Sequence, residues 1–361
     1  MEDTPTIVQL PENVIMAIAA GEVIHNPSNV FKELLENALD AGSTRIQVSI
    51  ENGGFTYLKI QDNGYGISNV DLPICARRHT TSKIHSFNDM SNITTFGFRG
   101  EALFSISCVS HLTITSKTDE SEVGYIAHYS DGELVGDLTP IAFTTGTTVE
   151  IRDLFYNRHQ NLSTLPEYSQ SARTILQITT NYAYAFPSTS FTVISDHHKR
   201  LHTNGGASTT EQVISLINHI SFPLSVQKPS SYHNDNENNN PNENNSLNEN
   251  TNNNELSATL FLSELGSKDT SLRGSIVFIN GRLVRCDRLK RIITDVYSEF
   301  LIRGAKPFFI VMLTIPPDRV DVNVHPTKRD VAFQNDSTIY NIISSKVREA
   351  LLQKSGRIIL S

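Results

Sequence analysis

The chain has 361 residues, 38% of them hydrophobic, and a formal charge of −8. That is enough for roughly two domains and too acidic for a polycation coating nucleic acid or an anionic membrane along its length. Three cysteines, Cys75, Cys108 and Cys286, lie far apart without CxxC spacing, which argues against a disulfide framework or zinc knuckle and fits a reducing compartment. The N-terminal MEDTPTIVQLPENV has no basic region ahead of an apolar core, and the longest apolar run, FFIVMLTI (residues 308–315), is too short to span a bilayer, so a soluble intracellular protein is expected.

The first informative element is KELLENALDAG (residues 32–42), a helix that Gly42 stops. Val30, Phe31, Leu34, Leu35, Ala38 and Leu39 form its apolar arc. Glu33 and Asn37, four apart, share another face. Asn is a mediocre mid-helix residue, and at 100° per residue Asn37 falls ~20° from Val30. The pair therefore sits where the buried and polar faces meet, as the wall of a pocket would, although an ordinary solvated face is the alternative. TRIQVSI (44–50) alternates as a half-buried strand, ENGG (51–54) reads as a hairpin turn, and FTYLKI (55–60) is the partner strand. That strand runs into Asp62-Asn63-Gly64-Tyr65-Gly66, whose glycines permit a sharp turn and close approach and whose Asp offers a fixed acceptor to an exocyclic amine such as adenine's. Alone, such a segment is most often a plain turn.

Thr81-Ser82-Lys83 offers two hydroxyls and an ammonium for phosphate or ribose oxygens. In FGFRGEAL (96–103), Gly97 and Gly100 flank Arg99, and EALFSISC starts a helix. A glycine loop feeding a helix start can cradle phosphate and move as a lid, or it can be a simple connection with Arg99 in solvent. Gly146-Thr147-Thr148 follows later. There is no GxxxxGK[ST] and no GxGxxG after a strand, which excludes a P-loop and argues against a dinucleotide site.

NDNENNNPNENNSLNENTNNNE (234–255) has almost no apolar residues and reads as a disordered insertion. Beyond it, SIVFINGRLVR is strand, Asn-Gly turn, strand; CDRLKRIITDVYSEFL is a helix; PFFIVMLTI and VDVNV are strands; and STIYNIISSKVREALLQ is a closing amphipathic helix. Helices and hairpins in this order indicate an α+β layered fold. GRLVRCDRLKR (281–291) carries Arg282, Arg285, Arg288, Lys290 and Arg291 against Asp287, a patch suited to salt-dependent phosphate contact or simply a solvated helix face. His197, His198, His202 and His325 lack the Cys or carboxylate spacing of a metal site.

Taken together, IAAGEVI, KELLENALDAG, QDNGYGI, ARRHTTSKI, TTFGFRGEALFSIS, GTTVEIRDLFYN and VDVNVHPTKRDV resemble the MutL family of mismatch-repair ATPases, within the superfamily shared by gyrase B, Hsp90 and histidine kinases. The likeness runs over nearly the whole chain apart from the Asn tract. RDLFYN and NGRLV look closest to the eukaryotic MutL homologue that partners the other eukaryotic subunits. The resemblance implies a two-layer GHKL (Bergerat) ATPase sandwich over residues 1–210. A ribosomal-protein-S5-domain-2-like α/β domain follows over 211–340, with the disordered insertion at about 229–255, and a C-terminal helix and tail occupy 341–361.

It implies ATP and Mg²⁺ as ligands. Glu33 would be the general base, and Lys328 would reach the γ-phosphate from the second domain. Asn37 would coordinate Mg²⁺, Asp62 would read adenine, and Gly66 would pack on the nucleotide. Thr81, Ser82 and Lys83 would line the ribose-phosphate side, Gly97, Phe98, Arg99, Gly100, Glu101, Ala102 and Leu103 would wrap the phosphates, and Thr147 would support the base. A slow ATPase is implied, one that closes an N-terminal arm (residues 1–20) and pairs two N-terminal domains. A nucleotide-gated binding module without useful hydrolysis is the alternative. The implied partners are a second MutL-type subunit in a heterodimer, MutS-type mismatch-recognition proteins, and double-stranded or mismatched DNA, in the nucleus. Arg282, Arg285 and Arg288 are the candidate DNA contacts. The family's basic run after LFYN is replaced by Arg158-His159-Gln160-Asn161-Leu162-Ser163-Thr164, which removes most of its charge. The family's C-terminal dimerisation and nuclease regions have no counterpart in this sequence, so no nuclease is expected.

Overall fold

The computed structural model describes residues 7–86, 89, 93–157, 166–218, 225–227, 257–263, 265, 274–301, 307–316, 320–321, 332–333 and 336–358. The chain divides into two units, Met1–Val213 and Ile214–Ser361.

The first unit opens with helices α1 (Glu12–Val23) and α2 (Pro27–Asp40) and the strands β1 (Arg45–Glu51) and β2 (Tyr57–Asp62). A short helix α3 (Ala102–Ser107) leads into β3 (His111–Lys117), β4 (Gly124–Ser130), β5 (Glu133–Ile141) and β6 (Gly146–Arg152). The long helix α4 (Tyr168–Ala185) precedes β7 (Ser190–Ser195) and β8 (His198–His202), and α5 (Thr210–Asn218) spans the division. The strands form one sheet in the order β5-β4-β3-β6-β2-β1-β7-β8, with β1 and β7 parallel and the other neighbours antiparallel. Because side chains alternate along a strand, Ile46, Val48 and Ile50 of β1 and Leu58 and Ile60 of β2 all fall on one face and are buried. Arg45 and Gln47 emerge on the other. The helices cover the apolar face, α2 through Val30, Phe31, Leu34, Leu35 and Ala38, which gives the expected two-layer α+β arrangement.

The connection between β1 and β2 is the expected antiparallel hairpin, with a longer turn than residues 51–54. Asn52–Gly54 is a 3₁₀ turn, and the second strand begins at Tyr57, not Phe55. The reason is packing against α4. Gly53 has φ +66°, a Cβ there would lie 2.4 Å from the Tyr168 carbonyl oxygen, and Ser171 Oγ donates to the Gly53 carbonyl at 2.6 Å.

The second unit contains β9 (Ser225–Gln227), β10 (Ser257–Leu262), β11 (Gly274–Ile279), β12 (Arg282–Val284), α6 (Asp287–Ser298), β13 (Phe308–Thr314), β14 (Val320–Asp321), β15 (Ala332–Phe333) and α7 (Asp336–Ile358). Its main sheet runs β12-β11-β13-β10-β9, and β14 pairs with β15. The expected Asn-Gly hairpin is present. Asn280 and Gly281 take φ +50° and +74°, the left-handed pair that a two-residue hairpin turn requires. Asn280 also staples the hairpin to the end of β13, since its side chain donates to the Ile315 carbonyl and accepts from Ile315 N–H, both at 2.8 Å. Ile339, Tyr340, Ile343, Val347, Ala350 and Leu351 bring α7 into this unit's core, alongside Leu289, Ile293 and Val296 of α6. No helix among the described residues is long and apolar enough to cross a membrane.

Candidate nucleotide site

Helix α2 carries the site, and its start is well specified. Asn26 caps it by accepting from Asn29 N–H at 3.0 Å, and Pro27 occupies the first turn, where no N–H is needed. Beneath the polar face lies a buried ion pair, Lys32 Nζ to Glu36 Oε1 at 3.0 Å, with Glu36 also accepting from the Tyr182 hydroxyl of α4 at 2.5 Å. Glu33 and Asn37 stand half-buried, four residues apart on the helix.

Asn37 is the centre of a compact polar cluster. Its Oδ1 accepts from Lys83 Nζ at 2.8 Å, and the same ammonium meets Asp40 Oδ2 at 2.5 Å. Asp40 accepts in addition from the backbone N–H groups of Phe96 (2.9 Å) and Gly97 (3.0 Å), so it ties the root of the glycine loop to the end of α2. A Cβ on Gly97 would lie 2.8 Å from Lys83 Nζ and 3.0 Å from Asn37 Oδ1, so the glycine backbone runs directly against this polar cluster. Three separated segments, 37–40, 83 and 96–97, thus converge. The sequence reading missed Asp40. A signal was present: an acid in the last turn of a helix opposes the helix dipole and has to be compensated by partners elsewhere.

The other wall begins at the end of β2. Asp62 Oδ1 accepts from Gly64 N–H at 2.8 Å and from Ser43 Oγ at 3.2 Å. Burial holds its carboxyl above the usual aspartate range, against the pull of hydrogen bonds from Gly64, Ser43 and the Thr147 backbone. Gly66 has φ +78°, and a Cβ there would sit 2.1 Å from the Lys117 carbonyl oxygen, so backbone packing against β3 by itself demands a glycine. Thr147 is buried and shares a 2.9 Å hydrogen bond with Ser116 Oγ. Ser116 also donates to the Gly146 carbonyl at 2.9 Å and accepts from Ile67 N–H at 2.8 Å. This buried serine joins the segment that follows β2 to the start of β6, and no sequence motif marked it.

The remaining predicted positions fall around these walls. Thr81 accepts from Lys83 N–H at 3.2 Å, and Ser82 is exposed. Gly100 has φ +64°, with its backbone against Thr80, and its carbonyl accepts from His79 N–H at 2.8 Å, so the 79–83 and 96–100 segments are bound to each other. Phe98 is buried, Arg99 lies over its ring at 5.7 Å, and Glu101, Ala102 and Leu103 are half-buried at the start of α3. Lys328, the Asn-rich tract and residues 158–164 lie outside the described residues.

The basic stretch of the second unit needs correction. Arg282 is 5% exposed, because the alternation of β12 turns it inward with Val284. It is no part of a surface patch. Arg285 is exposed and paired with Asp287 at 2.9 Å, and Arg288 lies over the Tyr340 ring at 4.8 Å.

Two family descriptions match: histidine kinase-, DNA gyrase B-, and HSP90-like ATPase over residues 25–138, and DNA mismatch repair protein, C-terminal domain, over residues 238–352. DNA mismatch repair protein Mlh1 of Dictyostelium discoideum is 39% identical, over 97% of this chain and 41% of its own length. The Saccharomyces cerevisiae MLH1 is 35% identical over 96% and 43%, and MutL of Histophilus somni is 35% identical over 98% and 54%. The chain therefore spans about half the length of these curated relatives. Among solved structures, the N-terminal domain of a DNA repair protein superposes with TM-score 0.74 at 23% identity, covering 94% of this chain and 98% of that one. The Aquifex aeolicus MutL ATPase domain complexed with ADP superposes with TM-score 0.55 at 22% identity, covering 82% and 94%. From the site's motifs, its fold and these matches together, the chain belongs to the MutL/MLH1 family of mismatch repair proteins and carries that family's GHKL-type ATPase domain.

Proposed function

We propose that this chain binds and slowly hydrolyses ATP, and that the bound nucleotide switches its conformation during DNA mismatch repair. The observation that carries the reading is Asn37. Its amide oxygen already holds a cationic group at 2.8 Å, one helical turn from a carboxylate at Glu33, with Asp62 at the neighbouring strand end. The donor set fits Mg²⁺: a neutral amide oxygen beside carboxylates is a hard-oxygen environment, and Mg²⁺ takes few protein ligands and keeps water and phosphate oxygens for the rest. When bound through Asn37, Mg²⁺ supplies charge neutralisation at the phosphates.

The chain's own residues do the remaining work. Glu33 orients and deprotonates the attacking water. Asp62 accepts from the adenine amino group, while the Ser116–Thr147 contact fixes the opposite wall. Lys83, Arg99 and the backbone of residues 97–101 contact the phosphates, and Lys328 contributes a compact positive charge at the γ-phosphate. A γ-phosphate that touches both the loop and Lys328 favours a closed state that ADP does not reach, and only such a difference in affinity can shift the population. Closure then orders the N-terminal arm and pairs the chain with a second MutL-type subunit, in the nucleus, to relay recognition by MutS-type proteins on DNA.

The test compares ATP binding and hydrolysis in wild type, Glu33→Ala and Asn37→Ala. Glu33→Ala is expected to bind ATP and stop hydrolysing it, and Asn37→Ala to lose both. Unchanged turnover in Glu33→Ala would remove the assigned base, and wild type that binds ATP without single-turnover hydrolysis would leave a gated binding module.

A further inference from the structure

The cluster at the end of α2 holds an arrangement that the roles assigned above do not use. Lys83 reaches across to the last turn of α2 and meets Asn37 Oδ1 and Asp40 Oδ2 at once, and the side chains of the Lys83–Asp40 ion pair are only 15% and 5% exposed. The oxygen assigned to the metal is thus coordinated by an ammonium.

We propose that Lys83 is a built-in counter-cation for the Asn37–Asp40 oxygens and that it gates divalent-metal entry, leaving Asn37 for the nucleotide phosphates when the metal–nucleotide complex arrives. This rests on the nucleotide reading above. Its physical basis is exclusion. The Asn37 amide oxygen cannot serve a lysine and a divalent cation together without placing two positive charges within a few ångströms in a partly buried site, where screening is weak. A free divalent cation brings nothing to receive the displaced ammonium. A metal–triphosphate complex does, because it carries phosphate oxygens within reach of a flexible four-carbon stem. The site therefore admits the metal with its nucleotide and rejects the metal alone.

Asp40 has a different part. Both its carboxylate oxygens hold the backbone at Phe96 and Gly97, so it remains the anchor of the loop when Lys83 departs. It is a positioning residue for the loop, and Lys83 is the mobile member of the pair.

The experiment titrates Mn²⁺ into the chain without nucleotide and follows free Mn²⁺ by electron paramagnetic resonance, in wild type, Lys83→Met and the Lys83→Met/Asp40→Asn double variant. Lys83→Met keeps the stem and removes the charge. It is expected to gain one Mn²⁺ site at least tenfold tighter than any in wild type, and the double variant to lose that gain. Lys83→Gln carries the same comparison should Lys83→Met fail to fold, as judged by its thermal melt. A charge-neutral Lys83 variant that binds Mn²⁺ no better than wild type overturns the gating proposal. Wild type that fails to bind ATP with Mg²⁺, beside a variant that gains Mn²⁺, overturns the nucleotide reading and leaves the counter-cation assignment standing.

Discussion

Two charged regions of this chain looked comparable as strings of letters and are unlike in structure. At the end of α2, the charged and amide groups are tied to specific atoms: Asp40 to two backbone N–H groups and an ammonium, Asn37 to the same ammonium, and Glu36 to Lys32 and a tyrosine hydroxyl. In the basic stretch 281–291 three of the four arginines go separate ways: Arg282 is buried in a strand, Arg285 is in an exposed pair with Asp287, and Arg288 lies over a tyrosine ring. The difference is one of mutual constraint. A site assembled from several residue types at set spacings requires a particular backbone around it. A run of like charges requires only solvent, and nothing in it says which members face outward.

The comparison is broken most sharply at Glu36. Removing one partner of a buried ion pair leaves the other charge without compensation, at a cost of about 3–5 kcal/mol. Glu36→Leu is therefore expected to lower stability by that much in a denaturant titration, and adding Lys32→Met should restore most of it. If the single variant unfolds at the wild-type midpoint, the buried pair does not hold α2.

A smaller effect is expected at Asp62. Losing a hydrogen bond to a charged group costs about 1.5–3 kcal/mol, so Asp62→Ala should weaken ATP binding roughly ten- to hundredfold by calorimetry. The pH dependence sharpens this. Burial raises the Asp62 pKa in the folded chain. Its contribution to stability is therefore full below the unfolded aspartate range and is lost as pH rises through the raised folded value. Without ligand, Asp62→Asn should melt above wild type at neutral pH, and the gap should close on acidification into the ordinary aspartate range. A gap that widens on acidification would mean that hydrogen bonding outweighs burial there.

The legibility of the sequence follows the same division. Helix α2, the β1–β2 pair, the Asn280-Gly281 turn and α6 were readable because each is set by local periodicity or by a turn residue with one physical purpose. The β1–β2 hairpin is present, but its turn runs beyond residues 51–54 because Gly53 serves contact with α4, a distant element that no local pattern encodes. Asn37 could be picked out because it is a poor residue for its place. Asp40 was equally out of place against the helix dipole and was passed over among the ordinary acids of an amphipathic helix. Ser116 bears no mark at all, because a buried serine that ties a loop to a neighbouring strand looks the same in sequence as any strand serine.

The smallest effects are expected in the basic stretch, and there the contrast lies between neighbours. Arg285 and Asp287 form a pair exposed on both sides, and such pairs contribute little, so Arg285→Ala should change stability by no more than about 0.5 kcal/mol. If Arg285 contacts DNA phosphates, the same variant should weaken binding equally across sequences and reduce the salt slope by about 1. Arg282→Ala should do the reverse. Its buried side chain offers nothing to a phosphate, so the salt slope should stay put while the melting temperature falls. Fluorescence anisotropy over a salt series, run beside thermal melts of both variants, separates the two. A slope that moves with Arg282 and not with Arg285 would mean that the inward turn of β12 is not what sets this strand's chemistry.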